Sequence, residues 1–228
     1  MISVILPTMN EAGSIRTALE ALAPLRNGEI EFIVVDGGST DGTCEEAARL
    51  ADRVVTAPRG RASQMNHGAY IARGDLLLFL HADTRLPVSA ADFVRAALSD
   101  PSRHWGRFDV RIEPLRPLLR LVAWSMNFRS RITGIATGDQ AIFVRKSAFN
   151  HVGGYPDIPL MEDIALSRRL KRLGPPVCLS EKAVTSGRRW ERGGIVRTIL
   201  LMWRLRLEYF LGADPARLAR RYGYAPRN

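Results

Sequence analysis

The chain is poor in cysteine, in lysine and in aromatic residues, and each shortage removes a class of protein. Cys44 and Cys178 are its only cysteines among 228 residues. They have neither metal-ligand spacing nor the density of a disulfide framework, so free thiols in a reducing compartment are expected. Aromatic residues make up 7%, and no helical segment offers the aromatic platform or recognised motif of a nucleic-acid reader, so nucleic acid is not an expected partner. No basic n-region or cleavage site precedes the strand-like opening "MISVILPT". The longest apolar run within 193–212 is residues 199–203, far short of the roughly 20 that span a bilayer. A cytoplasmic protein is expected, with peripheral attachment to the inner face of the membrane as a candidate. Internal repeats, low-complexity stretches, a Walker sequence and a GxGxxG loop are also missing, which disfavours a dinucleotide site.

What the chain has in quantity is arginine, unevenly placed. Residues 1–100 hold 9 Lys+Arg against 13 Asp+Glu, a net −4, and residues 101–228 hold 24 against 10, a net +14. Guanidinium groups suit bidentate contacts with phosphate or carboxylate, so an anionic surface or a phosphorylated substrate is a natural partner for the second half.

The first hundred residues alternate short apolar runs with helical stripes. Residues 2–7, 30–36, 53–58 and 76–83 read as strands covered on both faces. Between them, residues 11–23 (after a possible Asn10 cap, with Ile15, Leu19 and Leu22 on one stripe), 41–51 and 61–73 read as helices. Strand starts about 25 residues apart are the length of a βα crossover, so a parallel α/β sheet is predicted, with ligands bound beyond the carboxyl ends of its strands. Each run ends at that edge in polar or turn-forming residues: "PTMNE", Asp36 with "GGSTDG", "PRGR" and "HAD". In the second half, 107–114 reads as a half-exposed strand, 115–131 as an Arg-studded amphipathic helix, 140–146 as a strand, and about 161–173 as a helix after the irregular "GGYPDIP". A last short helix begins at Pro215 after an Asp214 cap.

Four places carry candidate chemistry. Asp83, just past a buried strand, either caps the following turn or holds a divalent cation, because Mg²⁺ or Mn²⁺ needs only one or two protein carboxylates when substrate phosphates complete its shell. His81 is either an ordinary strand-end histidine or a second contact to that metal or phosphate. Asp36 either organises its glycine-rich turn or accepts hydrogen bonds from a base or ribose. Glu162 and Asp163, adjacent at a helix start, either answer the helix dipole or supply a general base.

In their order along the chain, "VILPTMNEAGSI", "IVVDGGSTDGT", "GDLLLFLHADTRLP", "GDQAIFVRKSAFNHVGGYP" and "MEDIALSRRL" resemble the family 2 glycosyltransferases of the GT-A fold, over roughly residues 1–174. "PRGRASQMNHGA" is similar to a subgroup of small bacterial members. The resemblance implies a Rossmann-like, mostly parallel sheet flanked by helices: a domain of residues 1–190, with a nucleotide half 1–100 and an acceptor half 101–190, then an amphipathic helical extension 191–228. It implies an inverting, metal-dependent transfer from a nucleotide-sugar, with UDP favoured, to a hydroxyl acceptor. Pro7, Thr8, Asn10, Glu11, Asp36, Arg61, Asn66 and Ala82 would border the nucleotide. Asp83, with His81 where the family more often has Asp, would face the Mg²⁺ or Mn²⁺. Asp163, supported by Glu162, would be the base. Gly138, Asp139, Gln140, Arg189 and Trp190 would line the acceptor side; "GRRW" is similar to a motif of processive members, but Ser186 stands where their Gln would be, against polymerisation. A lipid-linked acceptor, contact with a membrane surface and a homodimer are the partner candidates beyond the donor. The competing readings are a nucleotide-sugar-binding module without catalysis and a methyltransferase-like Rossmann domain, in which "HAD" and "ED" have no role.

Overall fold

Three βα units open the chain, as the apolar runs predict. The computed structural model describes residues 1–26 and 28–224. In chain order its elements are β1 (Ile2–Thr8), α1 (Ala12–Leu22), β2 (Ile30–Asp36), α2 (Thr43–Ala48), β3 (Arg53–Thr56), α3 (Arg61–Ile71), β4 (Leu76–Phe79), β5 (Thr84–Arg85), α4 (Ala90–Ala97), β6 (Trp105–Glu113), α5 (Pro117–Thr133), β7 (Phe143–Arg145), α6 (Lys146–His151), α7 (Glu162–Leu170), β8 (Val177–Ser186), α8 (Arg188–Gly193), α9 (Ile195–Phe210) and α10 (Pro215–Tyr222). One eight-stranded sheet runs β3-β2-β1-β4-β7-β6-β8-β5. Strands β1 to β4 are mutually parallel, as are β6 and β8, whereas β7 is antiparallel to both its neighbours and β5 is antiparallel to β8.

The alternation of side chains along β1 separates two cores. Ile2, Val4 and Leu6 pack with Ile15, Leu19 and Leu22 of α1 on one face, while Ile5 packs with Ala62, Met65 and Ala69 of α3 on the other. Helix α3 comes close to the sheet because Gly68 has no side chain; a Cβ there would stand 2.5 Å from Ile5 Cγ2.

Several expectations change in detail. Strand β4 stops at Phe79, so His81 to Asp83 form a turn, and the following Thr84–Arg85 pair leaves to join β8. The expected strand at 140–146 shrinks to β7, because residues 138–140 wind into one 3₁₀ turn. Asn10 does not cap α1: the helix begins after Glu11 without a side-chain cap bond, and Asn10 sits at φ 54°. Asp214 does cap α10, accepting from the backbone of Ala216 and Arg217.

Strand β6 is not half-exposed, because its polar residues pair inside. Arg107 is fully buried and donates to Asp109 and to the carbonyl of Asn127; Asp109 also accepts from Arg131 Nη2 at 2.9 Å. Removing the acid would strand a buried guanidinium. Asp109→Ala is therefore expected to lower the unfolding free energy by roughly 3–5 kcal/mol, read from denaturant titration, whereas a substitution at exposed Asp75 should change little.

The C-terminal helices lie on the sheet domain. Leu205 of α9 and Leu218 and Ala219 of α10 share a buried cluster with Ile135, Leu160, Met161 and Ile164. Among the described residues no helix is long and apolar enough to cross a membrane.

Candidate active site

The carboxyl ends of β1 and β4, the first turns of α3 and α7, and the facing sides of α5, α9 and α10 enclose a cavity of about 1160 Å³. Of the residues expected at a site, Pro7, Thr8, Asn10, Glu11, Arg61, His81, Ala82 and Asp83 line it, as do Asp139, Glu162, Asp163, Arg189 and Trp190.

The nucleotide side is built by joining the loops after β1 and β2. Asn10 donates its N–H to Ser39 Oγ at 2.8 Å and accepts from the Thr40 N–H at 3.0 Å, and the Glu11 N–H donates to Thr43 Oγ1 at 2.8 Å. Asp36 holds this arrangement from beneath. It is 1% exposed and outside the lining, and its carboxylate accepts from the backbone of Gly38 (2.8 Å) and Ser39 (2.7 Å) and from the Ser39 hydroxyl. Burial alone would raise its pKa; those hydrogen bonds outweigh burial and lower it. Gln64, which the sequence did not single out, donates to the carbonyls of Thr8 (2.8 Å) and Val35 (2.7 Å) and so ties both strand ends to α3.

Two expected site residues serve the scaffold instead. Asn66 exchanges hydrogen bonds with the backbone of Tyr155, at 2.8 and 2.9 Å, and fixes the glycine-rich loop before α7. Gln140 is fully buried, accepts from the Thr137 N–H at 3.2 Å and donates to Asn127 Oδ1 at 3.3 Å. Neither lines the cavity.

At the opposite wall, His81, Asp139 and Asp163 surround Gly138. His81 Nδ1 stands 3.5 Å from Asp139 Oδ1, and its Nε2 is buried without a partner. Burial disfavours the imidazolium, but the Asp139 hydrogen bond prevails and raises the His81 pKa; reciprocally, Asp139 is lowered against its own burial. Asp163 Oδ2 accepts from the Gly138 N–H at 2.8 Å, while Oδ1 is buried with no hydrogen-bond partner. Glu162, 3% exposed, is pushed up to about 7 by burial and by the adjacent Asp163. Asp163 is also raised, chiefly by burial, against the pull of His81 and Arg61. Arg61 answers these acids from an exposed position, and Glu162 and Asp163 hold it above the ordinary arginine value.

Gly138 is needed for its smallness. A Cβ there would lie 2.4 Å from His81 Cε1 and Nε2 and 3.0 Å from Asp163 Oδ2. Gly138→Ala must push the imidazole and the carboxylate apart, and a displacement near 1 Å is expected to cost about 10²-fold in turnover; steady-state kinetics beside an unchanged circular dichroism spectrum check it.

Asp83 lines the cavity, half-buried, with Oδ1 accepting from Thr84 Oγ1 at 3.4 Å. Among the described residues no three His, Cys, Asp or Glu side chains converge as an all-protein metal cage. One carboxylate at a cavity mouth fits Mg²⁺ or Mn²⁺ completed by substrate phosphates and water. His81 fits as a second contact: Nδ1 faces the Asp139 carboxylate, as the outer nitrogen of a ligating histidine does, and Nε2 has no partner.

The sequence profile of glycosyl transferase family 2 matches residues 3–111. That match makes the first half of the chain similar to glycosyl transferase family 2. A PGL/p-HBAD biosynthesis glycosyltransferase of Mycobacterium bovis is 38% identical over 93 residues, 38% of this chain and 36% of the relative. YdaM, a probable glycosyltransferase of Bacillus subtilis, is 26% identical over 92% of this chain and 54% of its own length. The aligned parts thus span about half or less of these relatives. Among solved structures, TarS of S. aureus in complex with UDP-GlcNAc superposes with a TM-score of 0.67 at 21% identity, covering 81% of this chain and 58% of TarS. The mannosyltransferase PcManGT of Pyrobaculum calidifontis, in complex with GDP-Man and Mn²⁺, gives 0.69 at 22% identity, covering 99% and 65%. These likenesses establish the expected GT-A fold.

Arg189 and Trp190 reach the cavity in a supporting way. The Arg189 guanidinium lies 3.5 Å from the centre of the Tyr222 ring and donates to the Tyr222 carbonyl at 2.8 Å, and Trp190 packs against the cluster under α5. Sequence reasoning also passed over Arg129 of α5 and Arg206 of α9, which line the same cavity. Their only signal was the arginine-rich amphipathic character of both helices.

Proposed function

We propose that this protein is an inverting glycosyltransferase that moves a sugar from a nucleotide-sugar, with a UDP-sugar as the favoured donor, to the hydroxyl of an acceptor. The observation that carries this reading is the division of labour on Asp163: one oxygen fixed by the Gly138 N–H, the other buried at the cavity wall and free to accept a proton. The acceptor oxygen attacks the anomeric carbon as the bond from that carbon to the donor phosphate breaks. The acceptor proton passes to Asp163 Oδ1, and the nucleoside diphosphate leaves from the opposite face, so configuration inverts. Arg61 places positive charge beside this wall, and the joined loops after β1 and β2 border the nucleotide. A divalent cation, as in the neighbour solved with GDP-Man and Mn²⁺, would be held by Asp83 and would neutralise charge on the departing diphosphate.

The test is release of nucleoside diphosphate from UDP- and GDP-sugars with Mn²⁺, with and without candidate hydroxyl acceptors. Release by the wild-type chain is expected. Tight nucleotide binding without any release, across that panel, would show a binding module rather than an enzyme.

A further inference from the structure

One side of the cavity takes no part in the reaction proposed above. Arg129 and Arg206 face it from α5 and α9, both half-buried. Arg129 Nη2 and Arg206 Nε are buried without any hydrogen-bond partner. The charges that act on Arg129 are those of Arg206 and Arg107, both positive, and together with burial, the largest influence, they push its pKa down to about 10. Burial lowers Arg206 as well, offset in part by Asp139. Two guanidinium groups held together in a partly desolvated wall are costly unless an anion joins them. Their planar forks suit a phosphate, which accepts several parallel N–H bonds.

The wall around them is apolar. Met126 and Met202 line it within, and Leu121 and Trp203, which are 58% and 65% exposed, also line it and so form its rim. Outside the rim the apolar character continues along one stripe of each helix, through exposed Trp124 and Phe128 on α5 and Leu200 and Leu207 on α9. A ligand matched to this passage is charged at its inner end and apolar towards solvent.

We propose that Arg129 and Arg206 bind the phosphate of the acceptor, and that this acceptor is an amphiphile whose apolar chain leaves between Leu121 and Trp203. The assignment rests on the glycosyltransferase reading for the word acceptor; the anion site itself does not.

The test titrates the full chain with dodecyl phosphate, dodecyl maltoside and inorganic phosphate, each below its micellar concentration, by calorimetry. Dodecyl phosphate is expected to bind at least about ten-fold more tightly than either of the others, the worth of one charge-assisted hydrogen bond or of a few buried methylenes. Arg129→Gln combined with Arg206→Gln should bring dodecyl phosphate down to the level of the maltoside while UDP with Mn²⁺ still binds, which also reports that the variant is folded. Leu121→Ser should weaken dodecyl phosphate and leave inorganic phosphate unchanged. Equal binding of phosphate and maltoside amphiphiles, or an unaffected double Gln variant, overturns the anion site. Equal binding of dodecyl phosphate and inorganic phosphate overturns the chain passage. Stoichiometric displacement of dodecyl phosphate by UDP would place the two arginines in the donor site and overturn the acceptor assignment. If UDP and GDP fail to bind while dodecyl phosphate does, the glycosyltransferase reading falls and the anion site stands.

Discussion

Asp163→Asn is expected to slow glycosyl transfer by about 10²–10⁴-fold, the usual contribution of a positioned general base, while UDP binding changes little. The amide keeps the size of the carboxylate, and its oxygen can still accept from the Gly138 N–H that now binds Oδ2 at 2.8 Å. What it loses is a basic atom at the Oδ1 position. The pH profile sharpens this expectation. Glu162 is pushed up to about 7 and Asp163 is raised beside it, so the two titrate as a pair whose apparent values belong to both. Base action needs the deprotonated form, so turnover should rise with pH along an acid limb well above the ordinary carboxylate range. Glu162→Gln removes one negative charge from the pair and should move that limb to lower pH. Stability must respond in the opposite sense. Because the folded chain holds the Glu162 proton more tightly than the unfolded chain, its stability should fall as pH rises from the ordinary 4.5 towards 7 and level off above. Melting temperature against pH, compared with Glu162→Gln, checks that sign.

The parts of the fold legible in the sequence are those whose residues face one environment along a whole element. Strands β1 and β2 are buried on both sides, so their uninterrupted apolar runs announced them, and the turn-forming residues after each run marked the edge where Asn10, Glu11 and Asp83 meet. Strand β6 misled because Arg107 and Asp109 satisfy each other inside the protein; periodicity records polarity, and an internal ion pair has the polarity of a surface. The site separated along similar lines. Asp163 and Asp83 were visible because an acid beside a buried strand end or at a helix start stands out locally. Asn66 and Gln140 looked equally functional, yet their amides satisfy the backbone of Tyr155 and the neighbourhood of Thr137 and Asn127, partners that only folding brings near. Arg129 and Arg206 were hidden for the same reason. Seventy-seven residues separate them, each lies in a helix full of other arginines, and their shared lack of a partner exists only once α5 and α9 pack side by side.

Asp83→Asn carries the second large expected effect, the loss of Mn²⁺-dependent nucleotide binding. The substitution preserves the volume of the side chain and its acceptor towards Thr84 Oγ1, so the sheet edge should keep its shape. It removes a negative charge at the mouth that no cation or backbone N–H of the described residues holds, whereas Asp139 pairs with His81 and Asp36 is occupied by Gly38 and Ser39. Among the described residues no cluster of three potential ligands stands beside it. Charge neutralisation of a leaving diphosphate by a divalent cation is worth several kcal/mol, or about 10²–10³-fold in rate, and that is the loss expected in turnover. In a UDP titration, the enhancement that Mn²⁺ gives the wild-type chain should vanish in Asp83→Asn, leaving the metal-free affinity supplied by Arg61 and the joined loops after β1 and β2. His81→Asn tests the second contact: with Nε2 lost, the Mn²⁺ enhancement of UDP binding should shrink without vanishing, while transfer slows as the Asp139 and Gly138 wall loosens. Retention of the Mn²⁺ effect in Asp83→Asn together with its loss in His81→Asn would reverse the two roles and place the cation on His81.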